Sequence, residues 1–130
     1  MTAEIVWPQP ERSLEEILGN PVGARHSVEA LPSLLHDGER VLTGATAFLE
    51  GRSGLVVATT ERLLFLHRDE PLIDWDYPSI GHFRALAGLV VADLQIERGD
   101  ERAVIKQVHP RQRLSELADI LGRSPAAPSS

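Results

Sequence analysis

The sequence predicts a mainly β fold of the α+β class: a seven-stranded antiparallel barrel or sandwich with helices at either end. Three observations predict it. Between residues 40 and 108 the apolar residues follow an extended period, whereas the flanks follow a helical one. Turn-rich breaks (EGRSG at 50–54, TTER at 59–62, RDEP at 68–71, RGDE at 98–101) divide that stretch into short strands. A last amphipathic segment, with Leu114, Leu117, Ala118, Ile120 and Leu121 on one face, returns to the helical period.

The elements follow in order. Ser13-Leu14-Glu15-Glu16 has the S-x-x-E form of a capping box, and Leu14, Ile17 and Leu18 continue it at helical spacing until GNPVG at 19–23. A second short helix is expected within 27–36, where Val28, Leu31, Leu34 and Leu35 share a face. Pro32 inside it is expected to open the last turn, since a missing N–H is harmless at a helix start. Strands are expected near 40–49, 54–60, 62–67, 71–77, 79–86, 89–98 and 102–108. Pro110 is placed at the first position of the final helix and Gly122 at its stop. The organisation is thus a helical segment over 1–38, a barrel with its helix over 39–122, and a disordered Pro- and Ser-rich tail over 123–130.

Composition narrows the chemistry. The 130-residue length suits one domain, and the 42% hydrophobic and 25% charged content is that of a globular one. Without cysteine there is no disulfide, thiolate metal site or cysteine nucleophile, which fits a reducing cytosol. No apolar run reaches the ~20 residues of a membrane-spanning helix, and MTAEIVWPQPERSLEE lacks the layout of a signal peptide. A cytoplasmic location is expected. The net charge is -6, with two arginines against seven acids in residues 1–39. No basic stripe fit for phosphates runs through the chain, so nucleic acid is not an expected partner.

Few residues offer site chemistry. Asp74 and Asp76 flank Trp75, so on a strand their carboxylates share a side; with His67 and His82, read as lying on neighbouring strands, they form a conceivable divalent-metal set. None of these spacings is diagnostic, and a wet strand face with Trp75 and Tyr77 on the dry side accounts for the pattern. No G-x-S-x-G elbow or equivalent fixes a nucleophile. The expectation is therefore no enzyme, no cofactor and no metal. In Thr59-Thr60-Glu61-Arg62 a threonine hydroxyl is expected to bond the turn backbone. Arg62 is expected to pair with Glu61 or with an acid on the next strand.

Two stretches carry a family likeness. LLHDGERVL at 34–42 and GLVVATTERLLFL at 54–66 resemble the bacterial pleckstrin-homology domains of the YokE-like type. The matching residues are Gly38, Glu39 and Val41, then Gly54, Thr59, Arg62, Leu63 and Phe65, with YPSI at 77–80 leading into the fifth strand. The resemblance covers about residues 30–122. It implies a seven-stranded PH-like barrel capped by the C-terminal helix, and a non-catalytic module that binds lipid headgroups, peptides or protein surfaces. Lipid-binding members of the superfamily carry a basic cluster on the first hairpin. Here FLEGRSGLVV supplies Arg52 alone, beside Glu50, too little to hold a multiply charged headgroup. A membrane role without phosphoinositide specificity is the disfavoured alternative.

The surplus of apolar residues is the remaining clue. LVVA at 55–58, LLFL at 63–66 and ALAGLVVA at 85–92 hardly alternate, so their outward side chains require a cover. Two covers are expected: the N-terminal helices, or a second copy of the chain. Self-association and an unidentified protein or peptide partner follow as the functional expectation. Arg52, Asp74, Trp75, Asp76 and His82 are the weak candidates for contact.

Overall fold

A computed structural model describes residues 25–123. The first helix, α1 (Arg25–Leu34), precedes seven strands: β1 (Val41–Leu49), β2 (Arg52–Thr59), β3 (Arg62–His67), β4 (Glu70–Asp76), β5 (His82–Ala87), β6 (Ala92–Arg98) and β7 (Glu101–His109). A short 3₁₀ turn over Tyr77–Ser79 joins β4 to β5, and α2 (Gln112–Arg123) ends the described chain. All strands belong to one antiparallel sheet in the order β4-β3-β2-β1-β7-β6-β5. The capping-box segment over 13–18 and the tail beyond Arg123 lie outside the described residues. No helix among the described residues is long and apolar enough to cross a membrane.

Turn chemistry sets the strand limits. Leu49 pairs with Arg52 across a two-residue turn in which Glu50 and Gly51 both have positive φ, the type I′ arrangement that matches strand twist. The sheet coils around one core to which every strand contributes: Leu42 and Leu49 of β1, Val56 of β2, Phe65 of β3, Ile73 and Trp75 of β4, partly buried Phe83 of β5, Leu94 and Ile96 of β6, and Ile105 of β7. Helix α2 closes it with Leu114, Leu117, Ile120 and Leu121. A guanidinium reaches from β6 across the core to the edge strand β4: that of Arg98 lies 4.7 Å from the centre of the Trp75 ring.

A second, smaller core lies on the outside of the sheet. Leu55 and Val57 of β2 and Leu64 and Leu66 of β3 point away from the main core and pack with Val41 and Leu31. Val28, Leu34 and Leu35 complete the layer. The non-alternating hairpin is thus buried on both faces, and α1 supplies its second cover. The third apolar run behaves differently. Its second half is no strand: Gly88–Val91 forms the loop between β5 and β6, closed by the Gly88 amide donating to the Val91 carbonyl, 2.8 Å. Leu89 and Val90 are 97% and 90% exposed.

Three smaller expectations change. Helix α1 runs through Pro32 instead of restarting there; packing of Leu31 beneath the helix outweighs one absent bond near its end. Pro110 precedes α2 by two residues, joined to His109 by a cis peptide bond, and Gly122 lies inside the helix. His67 and His82 are not on neighbouring strands, because the chain leaves β4 at one edge and re-enters as β5 at the other.

Candidate functional site

The signature residues converge on one buried cluster. Arg62 opens β3 and Glu39 stands just ahead of β1; their side chains are 8% and 0% exposed. The Arg62 guanidinium donates from Nε to Glu39 Oε2, 2.8 Å, and from Nη2 to Oε1, 3.0 Å. Nη1 donates to Asp74 Oδ2, 2.9 Å, and Nη2 also reaches the carbonyl of Leu34, 2.7 Å. Leu34 ends α1, so the cation meets one of the four carbonyls that a helix terminus leaves without a partner. Of the two partners expected for Arg62, the next strand supplies Asp74. Glu61 is not its partner, because its side chain turns to the ring of His36, 2.9 Å.

Thr59 organises the turn as expected. Its hydroxyl accepts from the amides of Glu61 and Arg62, both 3.0 Å, and donates to Glu39 Oε2, 2.6 Å. The His36 amide donates to Glu39 Oε1, 2.8 Å, and the Tyr77 hydroxyl donates to the Thr59 carbonyl, 2.6 Å. Burial alone would push the Glu39 carboxyl up. The bonds from Arg62, His36 and Thr59, with the Arg62 charge, outweigh that and hold it below the ordinary carboxylate range. The bond to Glu39 correspondingly raises Arg62. Burial first, then the Glu39 charge, pushes the Tyr77 phenol up.

His36, Glu39 and Glu61 place ligand atoms within 4.8 Å of one another, the one such group among the described residues. The two Glu39 oxygens already accept four hydrogen bonds, two of them from the Arg62 cation. A metal there would have to displace Arg62, so the arrangement is a structural clamp. The opposite end of α1 is fastened too: the Ser27 hydroxyl lies 3.2 Å from the Leu66 carbonyl and 2.6 Å from that of Arg68. The helix therefore runs antiparallel to β3. Seven helical steps cover ~10 Å and four strand steps ~13 Å, so the two tethers match in length.

The remaining candidate residues are dispersed. Asp76 is exposed at the end of β4, while Trp75 is buried beneath Arg98 and offers no surface for a partner. His82 opens β5 and pairs with Glu97, far in the sheet order from Asp74. Arg52 is exposed beside the first turn. The Asp74, Asp76, His67 and His82 set is not brought together.

Among the described residues, the sheet ends in two edges with no further strand paired to them. The β4 edge contains Pro71 and a register shift, and carries Glu70, Asp74 and Asp76; these features discourage further pairing. The β5 edge, HFRALA, pairs with β6 in unbroken register and has neither proline nor bulge. It lies against α2, where Gly122 leaves room for the Phe83 ring; a Cβ there would stand 3.7 Å from it.

This coiled antiparallel sheet with a helix closing its core is the PH-like architecture. The chain belongs to the bacterial PH domain family, whose model matches residues 35–122. A search of curated proteins found no match. PH-like domains are in general non-enzymatic modules, and the buried signature cluster is consistent with a role in folding the module.

Proposed function

We propose that the protein is a non-catalytic interaction module that takes an extended segment of a protein partner along the edge of β5. The observation that carries this reading is the contrast between the edges: β4 is blunted by proline and acids, whereas β5 is regular and mostly exposed. Added strands bind through main-chain hydrogen bonds, with neighbouring pockets selecting side chains. Partly buried Phe83, beside Gly122 of α2, provides such ground. The cysteine-free chain suits a reducing compartment such as the cytoplasm.

Panning a displayed random-peptide library on the purified chain, followed by amide exchange of the complex, tests the reading. Selected peptides should protect alternate β5 amides. Peptides that bind while leaving β5 unprotected, or a library that yields no binder, would overturn it. The same edge supports self-association as a second reading, since α1 covers the hairpin face that first suggested it. Light scattering that gives only the 14.3 kDa monomer would remove that reading.

A further inference from the structure

On the outer face of β5, β6 and β7 the side chains form rows across the strands. His82 pairs with Glu97, and Glu97 with Arg102, whose guanidinium lies 3.3 Å from the carboxylate. Leu86 pairs with Asp93, whose carboxylate accepts from the Gln107 amide, 3.1 Å. Between these two rows lies a third: Arg84, Gln95 and Val104. It is the one row of the three without an acid. The acids on either side of Gln95 are engaged elsewhere, and among the described residues Arg84 forms no ion pair.

Arg84 is exposed on the edge strand, so the next place in its row is the one that an added strand would fill. Directly opposite residues of paired strands share a face and stand close together. An acid in that place would meet the guanidinium, and a base would be repelled by it. The sign is the reverse of the other edge, where β4 carries Glu70, Asp74 and Asp76. On the core side of β5, Phe83, Ala85 and Ala87 pair with Ile96, Leu94 and Ala92 of the main core. Ala85 and Ala87 are nevertheless exposed, so larger apolar side chains beside them would gain cover there.

Resting on the reading of the β5 edge above, we infer that the partner is an extended segment of alternating character. It sets an Asp or Glu carboxylate against Arg84, with an apolar residue immediately before and after it on the core side. Main-chain bonds along the edge supply affinity without regard to sequence, and Arg84 supplies the choice. A segment with lysine or arginine at the central place is refused by like charge, which makes Arg84 the specificity-determining residue.

The test pans one displayed random-peptide library in parallel on the full chain and on its Arg84→Glu and Arg84→Gln variants. The site is exposed, and circular dichroism checks that the variants fold. The chain has a net charge of -6, so unspecific attraction would enrich basic peptides. Binders to the native chain should instead carry Asp or Glu between apolar residues. Arg84→Glu should turn that position to Lys or Arg, and Arg84→Gln should leave it without a charge preference. Arg52→Glu, the same charge change at the first turn, should retain the acid. In a selected peptide, replacing the acid by its amide should weaken binding to the native chain about three- to fivefold and leave binding to Arg84→Gln unchanged. No acid preference on the native chain, or one that survives in Arg84→Glu, would overturn the inference. Protection of β5 amides by those same peptides would then leave the edge reading standing, whereas a library without binders would overturn both.

Discussion

Replacing Arg62 with methionine should be among the most damaging single changes the domain can suffer. The substitution keeps the aliphatic stem but removes both guanidinium bonds to Glu39 and the cap on Leu34. Glu39, with no exposed side-chain surface, would keep only the bonds from Thr59 and the His36 amide. Removing one member of a buried pair costs about 3–5 kcal/mol, because the other charge is stranded. That is a large part of the ~5–15 kcal/mol that holds a domain of this size together. In a domain of ~100 residues it corresponds to a fall in melting temperature of roughly 15–30 °C. Urea unfolding of the full chain, followed by far-UV circular dichroism, measures it. The double variant Glu39→Leu/Arg62→Met leaves no stranded charge between them and should lose about 2 kcal/mol or more less than the sum of the singles. A loss below ~1.5 kcal/mol for Arg62→Met, or simple additivity, would refute the assignment of this pair as the clamp. Asp74→Ala should cost under ~1 kcal/mol, since that carboxylate is 49% exposed and water screens it.

Two further outcomes follow from the same geometry. The Glu39 carboxyl is held below its ordinary value of 4.5, so its contribution is complete above that pH and is lost as the pH falls toward the folded value. Urea midpoints should drop below pH ~4.5 more steeply in the native chain than in Glu39→Gln; equal slopes would assign the acid sensitivity to other carboxylates. Gly54→Ala should destabilise by ~1–3 kcal/mol, because the new Cβ would overlap the Leu66 carbonyl and stand 2.9 Å from the Phe65 ring. An unchanged melting temperature would contradict that close approach.

The strands were legible because glycine, proline and acid-rich turns punctuate them, and each expected strand overlaps an observed one. The two-faced burial of LVVA and LLFL was legible as well, because a hairpin lacking alternation must be covered twice. What periodicity could not supply was pairing at a distance. Glu39 and Arg62 are 23 residues apart; they meet only because the α1–β1 link brings the helix end over the start of β3. Their shared place in the family signature was the available clue. The metal-set reading failed for the mirror reason: sequence order placed β5 after β4, while the sheet places them at opposite edges. Leu89-Val90-Val91 read as a strand because its residues are β-formers, but Gly88 and the pairing of Ala87 with Ala92 turn it into a loop tip.

The extent of α1 has one practical consequence. The family match begins at residue 35, one position after the helix ends. The evolutionary module and the physical folding unit therefore have different starting points. A chain begun at the family boundary would retain every strand, yet it would leave Leu55, Val57, Leu64 and Leu66 bare and the Arg62 guanidinium without its helix carbonyl. Such a fragment should be sticky and poorly folded, and any binding it showed could be mistaken for recognition by the domain itself.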